Sequence, residues 1–543
     1  MNDQPLIDAR PDHLEIVREI LRRHVPERKV WAFGSRVTWT AKPYSDLDLV
    51  ILGDEPLDLG VLASLKEDFS ESDLPWKVDV VDWASTSDSF RKIIKKNKVE
   101  FLLGEKVTEE WPRRSLSDLY EVRSGLSKKA DQFGQGDPFL SFKDVFYNFF
   151  VPTELNQLVL TNETEKEAFS VHRGDVFLTR TSETVDELGM SCVALQDVAQ
   201  ATFNGFTKRL RPKKGVNLVP EYVGYYLRSP AFRQEILTFS NLMSTRASLN
   251  NEMIGRLKIK VPTLDIQREI GNVLKLLDDK IDLNRHMNET LEAMARAIFK
   301  DWFVDFGPTR AKMEGREPYL AQEIWDLFPD KLNDEGKPEG WEVSEIGKET
   351  TVVGGSTPST KEPLFWGGGI NWATPKDLSA LKSPVLLETN RTVTAAGLEK
   401  ISSGLLPTGT VLLSSRAPIG YIAISAIPVA VNQGFIALRC DGRLSNIYVW
   451  RWLHENMEAI NGNANGSTFQ EISKKNFRPL PVVVPSKEVI LEFNNISMPL
   501  YERIAKNSFE SQTLAQTRDL LLPKLMSGEI QVHEAEESVE GST

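Results

Sequence analysis

STRASLNNEMIGRLKIKVP, residues 244–262, lies without a gap over STFQEISKKNFRPLPVVVP, residues 467–485. Each copy runs from its terminal proline, Pro262 or Pro485, into a long segment with helical spacing of apolar residues. Upstream of each lies a stretch of short β-like runs broken by Gly and Pro, such as residues 176–179 and 410–414. A unit of more than 200 residues used twice is far too long for a solenoid repeat. It predicts two similar domains related by a pseudo-twofold axis, a shape suited to a two-part target.

The segments after the prolines carry the strongest periodicity. In residues 265–303, Ile266, Ile270, Val273, Leu277, Ile281, Met287, Leu291, Met294 and Ile298 step mostly by threes and fours, with a wider gap around Asn284. At about 1.5 Å per residue, such a helix would be longer than a globular core requires. Residues 488–526 repeat the pattern with Val489, Phe493, Ile496, Leu500, Ile504, Leu514, Leu521 and Leu525, and Pro499 predicts a kink or a broken turn. Asn284, Asn507, Ser508 and Ser511 interrupt the stripes; polar residues at a seam between paired helices tend to fix register. Residues 306–340 read as a linker with a short amphipathic piece at 324–328.

Composition bounds the rest. A chain of 543 residues has room for three or four domains. No apolar run is long enough for a membrane span, and the N-terminus MNDQPLIDARPDHLE has no apolar signal-peptide core. Cys192 and Cys440 are the only cysteines, which excludes a disulfide scaffold and a cysteine-built zinc site and points to the cytoplasm. The net charge of −12 argues weakly against nucleic acid, but charge can be segregated. Residues 533–543 form an acidic tail read as disordered, whereas Lys128-Lys129, Lys208-Arg209 with Arg211, Lys213-Lys214 and Lys474-Lys475 are basic clusters. Taken singly, each such cluster reads as a solvated face.

PEGWEVSEIG (residues 338–347), SSRAPIGYIAI (414–424), the segment 467–485 and LDIQREIGNVLKLLDDKIDLNRHMNETLEAMARAIFKDWF (264–303) together resemble the specificity (S) subunit of Type I restriction–modification systems. The resemblance covers residues 111–530 and implies an α/β and α+β multidomain chain. Two mixed α/β target recognition domains, residues 113–262 and 341–485, would each read half of a bipartite DNA site. Two long antiparallel spacer helices, residues 263–305 and 486–527, would hold them apart, joined through the linker 306–340 and followed by the tail 528–543. The two domains differ in sequence, so the site would be asymmetric. The chain lacks an N/D-P-P-Y/F tetrapeptide and a G-x-x-x-x-G-K-[ST] loop. By the resemblance, S-adenosylmethionine and ATP belong to separate methyltransferase (M) and restriction (R) subunits. Trp302, Phe303 and Phe306 read either as core or as an exposed interface for such partners.

Affinity for double-stranded DNA would come from Lys and Arg on phosphates, and readout from Arg, Asn, Gln, Ser and Thr in the groove. The candidates are Lys143, Arg180, Thr181, Lys208, Arg209 and Arg246 in the first domain. In the second they are Lys376, Ser415, Arg416, Gln433 and Lys474. Lys143-Asp144 and Lys376-Asp377 fall at comparable places, as do Arg180 and Arg416. Each also has a reading as a fold-stabilising residue.

Residues 1–105 carry a different signal. Alternating helix-like and strand-like runs (14–21 helix, 30–33 and 47–52 strands, 59–69 helix, 78–81 strand, 90–103 a closing basic helix) surround Gly34-Ser35 and Asp46-Leu47-Asp48. Asp46 and Asp48 alternate along one strand, so both carboxylates point to one face and can share divalent metal. Gly34 allows close backbone approach to a triphosphate, and Ser35 can hydrogen-bond its oxygens. G-S, about ten residues, then D-x-D resembles the minimal nucleotidyltransferase fold of the polymerase-β superfamily. The resemblance implies a third carboxylate on a neighbouring strand, the place of Asp79, with Asp82 as substitute. The resemblance implies a small α/β domain using Mg2+ and a nucleoside triphosphate. Three readings follow: a DNA-specificity subunit that is not itself catalytic, a metal-dependent nucleotidyltransferase steered by its C-terminal part, and an assembly scaffold without sequence preference.

Overall fold

The computed structural model describes residues 7–26, 28–42, 44–53, 55–102, 111–181, 187–240, 249–416, 418–466 and 470–532. Arg246, the first residues of both repeat copies and the acidic tail lie outside them. Among the described residues no helix is long and apolar enough to cross a membrane. The chain divides into two units, residues 1–113 with 526–530 and residues 114–525 with 531–543.

The first unit is a four-stranded mixed sheet with helices on both faces. Its elements run α1 (Pro11–His24), β1 (Val30–Phe33), β2 (Leu47–Ile51), α2 (Leu59–Ser70), β3 (Val78–Asp82), α3 (Asp88–Lys96) and β4 (Lys98–Leu102). The strand order is β3-β2-β1-β4, with β2 and β3 parallel and β1 antiparallel to both its neighbours. Leu47, Leu49 and Ile51 point into one core with Val17, Leu21 and Leu65, while Val50 and Phe33 on the opposite face pack with Ile94 of α3. The segment read as one helix over 90–103 is instead helix followed by edge strand. Asn97 ends α3 in a non-helical conformation, and the alternation of Val99 and Phe101 then suits the period of a strand.

The second unit is built twice from the same parts. The strands Ser191–Val193, Val176–Thr179, Thr207–Pro212 and Tyr120–Ser124 form one sheet in that order. The strands Ile419–Ser425, Val411–Ser415, Phe435–Arg439 and Thr351–Val353 repeat the order, with Val385–Leu386 added outside Ile419–Ser425. A second small sheet centres on Phe133–Leu140 in the first domain and Trp366–Ala373 in the second. Each central strand has one parallel and one antiparallel neighbour and a register shift, between Phe133 and Asp137 or between Trp366 and Ile370.

The quoted repeat copies occupy the same place in both domains. Leu116 N–H donates to Leu257 O (2.8 Å) as Ile346 N–H donates to Leu480 O (2.9 Å). Asn250 and Ser473 each cap a short helix, Asn251–Arg256 and Lys474–Phe477, through their side chains. The buried hydroxyl of Tyr222 donates to Lys260 O (2.9 Å) and that of Tyr448 to Val483 O (2.7 Å), anchoring the helices Pro220–Arg228 and Asn446–Glu455 alike.

The two long helices are Leu264–Phe303 and Lys487–Ser527. Asp278 pairs with Arg518 (2.5 Å), Asn284 donates to Glu510 (2.8 Å), and Asn288 accepts from Asn507 Nδ2 (3.0 Å). Contacts that fall in one helix as they rise in the other make the pair antiparallel. Asn284 Nδ2 also lies 3.3 Å from Ser511 Oγ, and Asn288 Nδ2 lies 3.3 Å from Ser508 Oγ, so the residues that break the apolar stripes meet each other. Pro499 does not break its helix, which continues through both Pro499 and Pro523. Each ring removes one backbone donor, and packing against the first helix holds the segment in place.

Trp302, Phe303 and Phe306 are core, with exposures of 2%, 4% and 9%, and not a partner surface. Residues 306–340 fold back over the end of the first long helix. Trp302 lies edge-on to Phe328 at 5.0 Å, Phe303 meets Tyr448 at 4.9 Å and Phe493 at 5.0 Å, and Trp341 joins Phe303 and Phe306 at 5.9 Å. Trp302→Ala should therefore cost about 3–5 kcal/mol in urea unfolding, the range for a fully buried aromatic. A loss below about 1 kcal/mol would show that the surroundings collapse into the cavity without the aromatic cluster being needed.

Candidate nucleic-acid interface and nucleotidyl-transfer site

In the second domain the five sequence candidates converge on one turn, residues 432–435. Ser415, 3% exposed, is buried and does not face solvent as a DNA-contacting side chain would; its N–H donates to Gly434 O (2.8 Å), and Arg416 follows on the same strand end. Gln433 is exposed, and its Oε1 accepts from Thr357 Oγ1 (2.5 Å). Lys376 is exposed on the helix Pro375–Ser379, whose Pro375 ring lies against Gly434. Lys474 is exposed, and its Nζ and the Phe435 carbonyl both lie over Gly354. Arg416 also lies 3.8 Å from Glu471, an exposed ion pair of little energetic weight.

The first domain arranges its candidates around the equivalent turn, residues 204–207. Arg180 N–H donates to Phe206 O (3.0 Å), with half-buried Thr181 next along the chain. Lys143 is exposed on the helix Phe142–Tyr147. Ser141 and Asp144 close a capping box there (Ser141 N–H to Asp144 Oδ2, 2.8 Å), as Thr374 and Asp377 do in the second domain (2.7 Å). Lys143 and Lys376 are thus held out by the same device. Asp377 also accepts from the backbone and side chain of Asn390, so its charge is committed to the fold.

Arg180, Arg416, Arg209 and Lys208 also sit differently from the sequence reading. Arg180 and Arg416 are not equivalents. Leu249 N–H donates to Arg180 O (2.9 Å) as Ile472 N–H donates to Ser415 O (3.0 Å), and Thr179 Oγ1 accepts from Met190 as Ser414 Oγ accepts from Tyr421. Arg180 therefore matches Ser415, and Thr181 matches Arg416. A one-residue slip along a strand moves a side chain to the opposite face. Arg209 is 6% exposed, donates to Ser170 O (2.7 Å) and stacks on Phe203; burial lowers it to about 10. Lys208 is 8% exposed and holds Ser124 Oγ and Asn251 Oδ1 (2.8 and 2.9 Å). Burial, then the nearby charge of Arg180, lowers its pKa. Both side chains grip the fold.

Sequence reasoning passed over Phe206, 60% exposed in this turn, and Tyr147, 73% exposed on the helix that carries Lys143. The signal for the first was present in Asn204-Gly205-Phe206-Thr207, a turn sequence following the short apolar strand Thr202–Phe203.

In the first unit the strand register lays out the second site. Asp79 of β3 pairs with Asp48 of β2, Asp48 with Phe33 of β1, and Phe33 with Lys98 of β4, a row across all four strands on one face. Asp46, exposed, precedes Asp48 by two residues and shares that face. Gly34 has φ +81°, and a Cβ there would lie 2.1 Å from Asp48 Oδ2, so only glycine lets the carboxylate pack against this backbone. Ser35 opens the following turn, in which the N–H groups of Val37 and Thr38 both donate to Gly34 O (3.2 Å). Arg36, buried against Trp76, donates to Ser45 O (2.7 and 2.9 Å) and fixes the entry to Asp46.

Burial, then the charges of Asp79 and Asp46, raises the pKa of Asp48. Lys77 Nζ sits 2.5 Å from Asp79 Oδ1. Asp82 is used elsewhere, accepting from the N–H groups of Leu57 and Ala84 (3.2 Å) and from Ser85 Oγ (2.8 Å). Among the described residues no group of three His, Cys, Asp or Glu side chains closes on a point that could hold a metal ion. The donors are nonetheless of the kind a hard divalent cation takes: three carboxylates near enough to repel one another, beside a cradle that admits no side chain.

Residues 108–293 and 338–493 match the family described as Type I restriction modification DNA specificity domain, and residues 14–107 match the nucleotidyltransferase domain family. The chain belongs to the Type I restriction–modification DNA specificity family and carries a nucleotidyltransferase-family domain ahead of that region. It is 24% identical over 469 residues to the Type I restriction enzyme HindI specificity subunit of Haemophilus influenzae, covering 78% of this chain and all of that one. It is 25% identical over 438 residues to the MjaIX specificity subunit of Methanocaldococcus jannaschii, covering 79% of this chain and 95% of the relative. Over 104 residues, 19% of this chain, it is 54% identical to 91% of a probable protein adenylyltransferase MntA of Haemophilus influenzae.

The raised pKa of Asp48 has a consequence for stability. A carboxyl whose folded pKa lies above its unfolded value contributes stability when protonated, and that contribution is lost as pH rises through the folded pKa. Asp48→Asn should therefore raise the melting temperature of the N-terminal unit at neutral pH, and the gain should shrink as pH falls below the carboxylate range. Calorimetric scans of the full chain at several pH values measure this. A variant less stable than wild type at pH 7 would mean that the carboxylate is held by favourable contacts.

Proposed function

We propose that the protein is the DNA-specificity subunit of a Type I restriction–modification complex and that residues 113–262 and 341–485 each read half of an asymmetric bipartite site in double-stranded DNA. The observation that carries this reading is a duplicated scaffold with unlike side chains at matching positions beside its turns, such as half-buried Arg180 against buried Ser415 and half-buried Thr181 against half-buried Arg416. Lys143 and Lys376 are the residues shared by both copies, which suits phosphate contact and not base readout. The long helices at 263–305 and 486–527 set the gap between half-sites and offer docking surface to M and R subunits, which would supply S-adenosylmethionine and ATP chemistry in the cytoplasm.

Co-expression with the neighbouring M subunit and mapping of methylated positions should return a two-part motif with a fixed gap. An assembled complex that methylates without a two-part motif would sink the reading. Lys376→Ala should weaken methylation of all sites alike and lower the salt dependence of binding, leaving the motif unchanged.

The row Asp79–Asp48 beside Gly34 favours a second activity in residues 1–105, transfer of a nucleotidyl group from a nucleoside triphosphate. Asp46, Asp48 and Asp79 would hold Mg2+, which neutralises triphosphate charge, while the Gly34 and Ser35 backbone approaches the phosphates. An acceptor hydroxyl oxygen forms a bond to the α-phosphorus, the α–β bridging bond breaks, pyrophosphate leaves, and the hydroxyl proton passes to a base such as Asp79. Labelled triphosphate with Mg2+ and the purified complex should label a protein or nucleic acid. Asp46→Asn with Asp48→Asn should abolish labelling and leave the methylation motif intact; retained labelling would exclude this site.

A further inference from the structure

The turns at residues 204–207 and 432–435 share one backbone but show the surface different side chains. Asn204 and Asn432 each accept, through Oδ1, the N–H two residues on (Phe206, 2.7 Å; Gly434, 2.8 Å). The N–H of each Asn donates to the last residue of the long strand beside it, Leu140 or Ala373, at 3.1 Å in both cases. The carbonyl at the third position accepts from Arg180 or Ser415. The two residues inside the turn are permuted: Gly205-Phe206 in one domain, Gln433-Gly434 in the other.

Sterics account for the permutation. A Cβ at 205 would lie 2.4 Å from Ser127 Oγ and 3.0 Å from Leu126 O, and a Cβ at 434 would lie 2.9 Å from Pro375 Cγ. Each domain is left with one side chain at this tip. Phe206 is 60% exposed and belongs to no buried cluster among the described residues. Gln433 is exposed, and its amide is oriented by Thr357. Cations flank both tips, Arg180 at the first and Lys376, Arg416 and Lys474 at the second.

We propose that Phe206 and Gln433 are the base-reading residues of the two domains. The inference rests on the DNA-specificity reading above and assigns to each half-site a position that it leaves open. The Gln433 amide offers a donor and an acceptor side by side, the complement of the N6 and N7 edge of an adenine in the major groove. Phe206 has neither, and an aromatic edge packs on the 5-methyl group of a thymine. The flanking cations hold phosphates and bring each tip to the groove floor.

The test uses the full chain in complex with its M subunits and maps methylated motifs for wild type, Gln433→Ala, Gln433→Glu and Phe206→Ala. Gln433→Ala should relax one base position in one half-site, with about a ten- to hundredfold fall in preference for adenine there. Gln433→Glu, nearly isosteric and so a guard against misfolding, should move that preference towards cytosine, whose N4 amino group donates to a carboxylate. Phe206→Ala should relax one position in the other half-site only. Unchanged motifs in all three variants, or an equal loss at every position, would overturn the proposal while leaving the bipartite wild-type motif standing. A wild-type complex with no bipartite motif would remove the reading beneath it, and the proposal with it.

Discussion

The second unit depends on two long helices whose facing polar groups, Asn288 with Asn507 and Asp278 with Arg518, meet in one register. Aliphatic stripes alone tolerate sliding, because one leucine packs much like the next. Asn288 and Asn507 do not: displaced by one turn, each amide would face apolar surface and lose about 1–3 kcal/mol of hydrogen bonding. Asp278 with Arg518, and Asn284 with Glu510, impose the same condition further along. Tyr225 ties this seam to the first domain by donating to Asp278 Oδ2 (2.6 Å), and Tyr448 ties the aromatic cluster around Phe303 and Phe493 to the second. Each domain is thus fixed to the helix pair by a residue of its own buried helix.

What was legible in the sequence was what repetition or period made visible. The gapless copies at 244–262 and 467–485 correspond to the same cap, strand and tyrosine anchor in each domain, and the polar breaks in the helical stripes found one another. Asp46, Asp48, Asp79 and Gly34 could be placed because a parallel pair of strands brings residues into register by simple counting. Arg180 and Arg416 were misaligned because the loops before them differ in length, and identity of residue type is a poor substitute for hydrogen-bond register. Arg209 looked like a surface cation because composition cannot tell which face of a strand is covered. The helix read over 90–103 failed where Asn97 ends α3 and local alternation takes over. Trp302 and Phe306 found their cover in Phe328, within the amphipathic piece of the linker, and in Trp341, which opens the second domain; composition does not show that these aromatics meet.

The two functional regions place opposite demands on chemistry. At the carboxylate row of the first unit, Asp46, Asp48 and Asp79 are crowded together so that Asp48 resists ionisation, and Lys77 offsets part of that charge at Asp79. At the turns of the second unit, cations stand apart around a single side chain; of the carboxylates nearby, Asp144 and Asp377 are spent on helix caps and Glu471 pairs with Arg416. An acidic chain can therefore present a basic surface where it needs one, which net charge alone does not reveal.

The antiparallel course of the long helices has a geometric corollary. The operation that lays one helix on its antiparallel partner is a half-turn, and each domain packs on the pair through the corresponding helix, Pro220–Arg228 by Tyr225 and Asn446–Glu455 by Tyr448. The same half-turn therefore carries the first domain onto the second. Duplex DNA has its own dyads, which exchange its two strands. On the proposed specificity reading, a protein with this internal half-turn would meet the duplex with its two domains facing opposite strand polarities, so that whatever the first domain read 5′ to 3′ on one strand, the second would read 5′ to 3′ on the other.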